Sequence, residues 1–271
     1  MPGPGVTQKT FVVGVGYTGS RLLQELTGGV GVSQGDRPDF SSPYDVVYTV
    51  PPAGEFLDEI LAAMDPAPKR FVYISTTGVY GDLGGGLASE SATLAPETDR
   101  AKRRVATEEA LHNWSLQKAV DLVVLRVPGI YGPERLGIDR IKNATPVLAE
   151  DDANPGNRIH VDDLVQCCVA ALSSAVPAGI YNVGDGDTRS SSWFANEVAR
   201  QCGLDAPPTV TREQAEETFS PERLSFLKES RRIDLRKMRD VLGVTPKYRD
   251  AAAGIAASLE KAVRGGTTRR K

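Results

Sequence analysis

Little in this chain could staple it or hold a metal. Its 271 residues include only 3 cysteines and 2 histidines. Two of the cysteines, Cys167 and Cys168, are adjacent, so no disulfide framework is written here; the usage fits a reducing compartment and gives a cytoplasmic expectation. His112 and His160 lie far apart, no Cys/His spacing suggests zinc, and no metal site is expected. No apolar run approaches the roughly 18–20 residues of a membrane-spanning helix, so no membrane partner is expected. The leader Met1–Gln8 is rich in Pro and Gly, lacks the apolar core of a signal peptide, and is expected to be disordered. A net charge of −3 gives no reason to expect a nucleic-acid partner.

What is present is an ordinary globular composition, 40% hydrophobic and 25% charged. Apolar runs and helical patterns alternate, which points to an α/β protein: a doubly wound parallel sheet with helices on both faces. Strands are expected over 11–15, 30–33, 44–50, 70–75, 121–127, 158–161 and 179–183. Helices are expected over 55–64, 99–113, 162–173 and 190–202, with 207–264 mostly helical. Only about ten residues separate the strands at 30–33 and 44–50, too few for a helix plus a further strand, so that sheet edge is expected to be reduced.

The segment Thr10-Phe-Val-Val-Gly-Val-Gly-Tyr-Thr-Gly-Ser-Arg-Leu-Leu23 carries the most chemistry. Gly14, Gly16 and Gly19 keep GxGxxG spacing between an apolar strand and a helix. The first glycine allows a tight turn, the second lets backbone approach a pyrophosphate, and the third lets the helix pack close on the strand. The free N–H groups at that helix start are suited to phosphate oxygens. Gly14, Gly16, Tyr17, Thr18 and Gly19 are therefore candidate cofactor residues, and the sheet is expected to be of Rossmann type. A NAD-binding second strand normally ends in an acid that takes the ribose hydroxyls. Ser33 stands there instead, with Asp36 and Arg37 just beyond; Ser33 and Arg37 suit a 2′-phosphate and Asp36 suits NAD, so the expected cofactor is NADP or NAD with a lean to NADP. Val50, Pro51 and Pro52 end the next strand at the expected cofactor crevice.

Several segments together resemble the short-chain dehydrogenase/reductase superfamily in its extended and atypical branches, the NAD-dependent epimerase/dehydratase type. They are Val13-Gly-Val-Gly-Tyr-Thr-Gly19, Tyr73-Ile-Ser-Thr-Thr-Gly-Val-Tyr-Gly81, Leu125-Arg-Val-Pro-Gly-Ile-Tyr-Gly-Pro133, Asn157-Arg-Ile-His-Val-Asp-Asp-Leu164 and Tyr181-Asn-Val-Gly184, in the family's order. The resemblance implies a NAD(P)-binding Rossmann domain over 9–185 with small insertions at 134–157, a mostly helical small C-terminal substrate lobe over 186–264, and a disordered tail at 265–271. It places Thr76 at the family's catalytic Ser/Thr position, where a hydroxyl donates to a developing oxyanion; the same hydroxyl also reads as a strand-end group satisfying backbone. Tyr80 reads as structural. Pro128 and Ile130 are expected to line the nicotinamide. His160 reads as a satisfied core histidine, Asp163 as the cap of its helix, and Trp193 and Phe194 as small-lobe core.

The departure from the family is specific. Its Tyr-x-x-x-Lys pair, a general acid/base phenol and a lysine that lowers the phenol pKa and holds ribose, is missing. Pro96 and Glu108 fix the register and put Arg100 at the tyrosine position and Arg104 at the lysine position. Arg104 suits ribose or phosphate, whereas an arginine cannot exchange protons near neutral pH. The expected activity is an NAD(P)-dependent oxidoreductase or epimerase-like enzyme acting on a small, anionic carbonyl/alcohol substrate, with Thr76, Arg100 and Arg104 at the reacting end. The alternative is a non-catalytic NAD(P)-binding sensor or partner protein. Extended members pair through the helix corresponding to 99–113 and its neighbour, which implies a homodimer.

Overall fold

The computed structural model describes residues 9–41, 43–52 and 55–268. The leader expected at 1–8 lies outside the described residues. Six strands form one parallel sheet: β1 (Lys9–Val13), β2 (Gly29–Val32), β3 (Tyr44–Tyr48), β4 (Arg70–Thr76), β5 (Asp121–Val127) and β6 (Gly179–Asn182), in the order β6-β5-β4-β3-β1-β2. Its longest ladder runs from Arg70 opposite Asp121 to Thr76 opposite Val127. All five residues of β3 are buried, as expected where both faces of a parallel sheet are covered.

The two-residue period of a strand divides the apolar residues between two cores. Val12, Val47, Val72, Ile74, Val123 and Leu125 face one side, with Leu22 of α1 (Tyr17–Glu25) and Leu164 of α4 (Val161–Ala171). Phe11, Val13, Val46, Phe71, Tyr73 and Val124 face the other, with Ile60 of α2 (Phe56–Ala63) and Leu111 of α3 (Asp99–Lys118). The sheet is thus doubly wound, with the expected reduced edge beside β2. Among the described residues between β2 and β3 there is no helix; Phe40 of the linking loop packs on Phe11 (ring centroids 4.9 Å apart) and stacks on Tyr44 (5.0 Å).

Element boundaries move for identifiable reasons. β1 ends at Val13 because Gly14 turns to φ +99°, leaving Val15 outside the strand. Helices Ile138–Lys142, α5 (Ser191–Cys202) and α6 (Ala251–Thr268) meet around Leu136, Ile141, Val198, Ala251 and Ile255. The stretch after 207 is less helical than its composition suggests, since Thr209–Val210 pairs with Val147–Leu148 and Arg232–Ile233 pairs with Leu87–Ala88. Met238, Leu242 and Val244 pack into the sheet-face core. The tail expected from 265 continues as helix to Thr268, because glycine weakens a helix by only about 1 kcal/mol; 269–271 lie outside the described residues.

Candidate functional site

The glycine loop ties three strand ends together. The Gly14 N–H donates to the Val32 carbonyl (2.8 Å) and the Thr49 hydroxyl donates to the Gly14 carbonyl (2.7 Å). A Cβ on Gly14 would stand 2.6 Å from Thr49 Oγ1, in addition to its left-handed φ. A Cβ on Gly19 would collide with the Gly14 carbonyl oxygen, so α1 reaches the loop only with glycine there. Gly16 is the opposite case: it is the N-cap of α1, no side chain caps it, and no atom lies within 4 Å of where its Cβ would be. An uncapped first turn beside open space at Gly16 fits an anion such as a dinucleotide's diphosphate. Thr18 is buried within that first turn.

Tyr17 is placed differently from its neighbours. Its hydroxyl donates to the Pro133 carbonyl (2.8 Å), and its ring has the Arg21 guanidinium at 3.9 Å and that of Arg135 at 4.0 Å. Burial pushes its phenol up to about 12. The side chain clasps the 133–135 loop to the start of α1.

Beyond β2, the turn at 33–37 is closed by Asp36, whose carboxylate accepts from the Ser33 N–H (2.7 Å) while the Asp36 N–H donates to the Ser33 carbonyl (3.1 Å). Arg37 is exposed and donates to the Gly35 and Asp36 carbonyls (3.4 and 3.1 Å). Off the end of β3, Val50 and Pro52 are half-buried and Pro51 is exposed.

At the end of β4, the Thr76 hydroxyl oxygen accepts from the Gly78 N–H (3.1 Å) and caps the short helix Thr77–Tyr80. Its own proton stays available for a second partner. Arg104, half-buried on α3, donates from Nη1 to the Tyr73 hydroxyl (3.1 Å) and to the Ile74 carbonyl. Arg100 is exposed one turn earlier. Pro128 follows β5 and lines a cavity with Asn157, Arg158, Asp185 and Asp187. Ile130 is half-buried in the strand Gly129–Tyr131, which pairs with Arg158–His160.

A buried ionic network under this region was not read from the sequence. Arg126 of β5 reaches Glu108 of α3 through Nη2 (2.7 Å) and Nε (3.3 Å to each oxygen), and Glu108 also accepts from the Ser75 hydroxyl. Arg126 Nη1 donates to the Tyr80 hydroxyl (3.0 Å), which donates to Asn182 Oδ1 (2.6 Å). The available signal was an arginine inside an otherwise apolar strand, which demands a buried partner.

On the lobe side, His160 is fully buried. Its Nδ1 accepts from the Asp162 N–H (3.1 Å), Nε2 meets Ser258 Oγ (3.1 Å), and burial lowers its pKa to about 4. His160 is thereby the cap of α4, a role the sequence assigned to Asp163. The Asp163 carboxylate instead accepts from the Lys247 and Tyr248 N–H groups (2.7 and 3.0 Å), because one turn into the helix it faces the incoming 247–248 backbone. Trp193 and Phe194 pack on the lobe core.

The parallel sheet, the glycine loop at its switch point and the helix start beneath it define a Rossmann-type α/β fold. Residues 55–184 match the model of the NAD dependent epimerase/dehydratase family. The chain is 26% identical over 187 residues to a dTDP-glucose 4,6-dehydratase of Streptomyces niveus, an alignment covering 66% of this chain and 53% of that protein. The chain thus spans about half the length of that curated relative. Among solved structures it is similar to a functionally unknown conserved protein from Silicibacter pomeroyi DSS (TM-score 0.83, 26% identity, 94% of this chain and 99% of that one). It shares its fold with UDP-glucuronic acid 4-epimerase from Bacillus cereus in complex with NAD (TM-score 0.71, 18% identity, 95% and 99%). Among the described residues no helix is long and apolar enough to cross a membrane, and no group of side chains could hold a metal ion.

Proposed function

We propose that the chain binds a nicotinamide dinucleotide and acts as an NAD(P)-dependent oxidoreductase or epimerase-like enzyme on a small carbonyl/alcohol substrate. The single observation that carries this is the open backbone face of Gly16 at the start of α1, set between two glycines that each admit no side chain. The bound cofactor supplies a carbon that accepts or gives hydride. The chain's own residues do the rest. The first-turn N–H groups of α1 hold the diphosphate, and Pro128 and Ile130 wall the nicotinamide end. The Thr76 hydroxyl donates its free proton to the substrate oxygen. Arg104 braces the end of β4 through the Ile74 carbonyl and keeps its other N–H groups for the ribose. With no phenol on α3, the proton comes from water or from the substrate itself. Arg100, exposed at the mouth, favours a substrate carrying phosphate or carboxylate. NADP is the favoured cofactor, because the Asp36 carboxylate is turned onto the Ser33 N–H and Arg37 is exposed beside it. The same reading takes 9–185 as the cofactor unit and 186–264 as the substrate lobe, in a cytoplasmic homodimer.

Calorimetry with NADPH and NADH side by side tests this. Micromolar binding of NADPH, with NADH weaker, is the expected result; no binding of either at millimolar concentration overturns it. A non-catalytic sensor is the second reading, favoured by the Arg104 guanidinium being engaged with Tyr73 and Ile74. Cofactor oxidation across a carbonyl panel that includes a dTDP-sugar, in the native chain and in Arg100→Tyr/Arg104→Lys, separates the two. Turnover by the native chain excludes the sensor.

A further inference from the structure

Polar atoms buried without hydrogen-bond partners are uncommon in folded proteins, and two of them meet in one cavity here. Asp185 and Arg158 are 4% and 7% exposed, and Asp185 Oδ2 and Arg158 Nη1 make no hydrogen bond. The second carboxylate oxygen of Asp185 and Nη2 of Arg158 are committed. Asp185 Oδ1 accepts from the Asp187 N–H (2.8 Å), and Arg158 Nη2 donates to the carbonyls of Ser190 (3.0 Å) and Arg189. Among the described residues, the ion-pair partner of Arg158 Nη1 is the Asp187 carboxylate, 3.4 Å away. Both residues line the cavity with Pro128, Asn157, Gly186 and Thr188. Its free space is about 40 Å³, room for roughly three waters or one hydroxymethyl group. Pro128 follows β5 and Asp185 follows β6 closely, so the cavity lies at the C-terminal edge of the sheet, the edge that carries Thr76.

Resting on the reading above, we propose that this cavity is a substrate subsite for a neutral hydroxyl group, whose oxygen accepts from Arg158 Nη1 while its proton goes to Asp185 Oδ2. A hydroxyl is the group that both accepts and donates, which is what the two vacant positions require. An anion does not suit the site. Arg158 already faces Asp187, and Arg189 is bound to Asp187 and Asp250, so a further charge would enter a buried cluster with no countercharge left. A carboxylate would also meet the Asp185 carboxylate directly. The charged and titratable groups facing Asp185 are Arg158, Asp187 and Asp163, with Arg189 beyond Asp187 and the phenol of Tyr131, itself buried and without a hydrogen bond, on the paired strand. Burial raises the Asp185 carboxyl to about 7. A hydroxyl binds either protonation state by reversing its donor role, whereas a carboxylate binds only the protonated one and loses affinity as pH rises past 7.

Nitrogen–proton NMR of the full chain tests the assignment, with 1,2-ethanediol and acetate as probes at pH 6 and pH 8. Ethanediol is expected to shift the Arg158 side-chain and Gly186 amide signals saturably, with affinities at the two pH values within about twofold, the hydroxyl matching either state of Asp185. Asp185→Asn, whose amide donates as the protonated carboxyl does, is expected to bind within about twofold of the native chain, whereas Asp185→Val, which leaves no polar atom there, is expected to weaken it about tenfold, the worth of one hydrogen bond. Absence of a saturable shift, meaning the cavity takes structural water only, overturns the proposal. So does acetate binding at pH 6 in place of ethanediol, or undiminished binding in Asp185→Val. If that variant does not fold, the diol-against-acetate comparison in the native chain decides alone. A parallel NADPH titration read at the Gly16 and Gly19 amides reports on the cofactor reading separately, and its failure leaves the diol result legible.

Discussion

Glu108→Gln is expected to cost more stability than any change to a surface ion pair of this protein. The Arg126 and Glu108 side chains are 3% and 8% exposed, and the guanidinium meets the carboxylate at 2.7, 3.3 and 3.3 Å. Glutamine keeps the shape and removes the countercharge, leaving Arg126 ionised in a dry interior with Tyr80 as its main remaining partner. Losing one member of a buried pair costs about 3–5 kcal/mol, a large share of a total that lies at about 5–15 kcal/mol. At roughly 2–4 °C per kcal/mol for a chain near this size, the melting temperature should fall by roughly 6–20 °C. Urea unfolding followed by circular dichroism measures the loss directly. Removing both charges separates the pair from mere packing: Glu108→Leu/Arg126→Met should be more stable than Glu108→Leu alone, because no orphaned cation remains. A loss below about 1 kcal/mol in Glu108→Gln, the range of exposed pairs, would refute the reasoning. Strict additivity in the double variant would refute it as well.

Gly16→Ala should leave the unfolding midpoint unchanged and weaken NADPH binding in calorimetry by about tenfold or more, because its Cβ enters free space that the diphosphate needs. Gly19→Ala should destabilise the fold itself, since its Cβ meets the Gly14 carbonyl oxygen; an equal midpoint would contradict that contact. Thr76→Ala should cost about 1 kcal/mol as a lost cap in urea unfolding, abolish turnover and leave NADPH affinity intact. Two buried groups tilt the pH profile in opposite senses. His160 falls to about 4 from 6.5, so the unfolded chain takes its proton first and this contribution to stability, complete above pH 6.5, is lost as pH drops toward 4. Asp185 rises to about 7 from 3.8, so its charge penalises the fold above pH 7 and the penalty lifts as pH falls toward 3.8. Asp185→Asn should accordingly gain on the native chain at pH 8 and lose that gain by pH 5 in paired urea titrations; a loss at pH 8 would count against the burial of an ionised Asp185.

The legible parts of this fold were those in which local sequence and tertiary role agree. Strand 121–127 is apolar at nearly every position because both faces of the sheet are covered, and its ends coincide with the structure. The three glycines could be read because each answers a local steric demand. The reduced edge followed from counting residues between two strands. Long-range side-chain partners were hidden. Pro96 and Glu108 gave the register of Arg104, but nothing near it in sequence announces Tyr73 or the Ile74 carbonyl. Arg126 stood out as a charge among Val and Leu, yet Glu108 had been used only as a spacing marker. The cap of α4 was misread because Asp162 and Asp163 are the stronger capping types by composition, while His160 occupies the extended N-cap backbone (φ −68°, ψ 141°) from which a ring nitrogen reaches the Asp162 N–H. Asp185 and Arg158 could not be paired in advance because the cavity exists only once β5, β6 and the strand 158–160 converge.

The short passage from β2 to β3, without a helix among its described residues, bears on how this protein could change. The chain crosses from one side of β1 to the other between Val32 and Tyr44, with the ring of Phe40 packed on Phe11 and Tyr44. In a sheet with a full third strand, lengthening that crossover means repacking a helix and a ladder together. Here the 33–37 turn closes on itself through Asp36 and Ser33, upstream of Phe40, so residues can be added or exchanged there without moving a core side chain. That turn is a point where the chain can change length and charge while the ladder between β1 and β3 stays fixed.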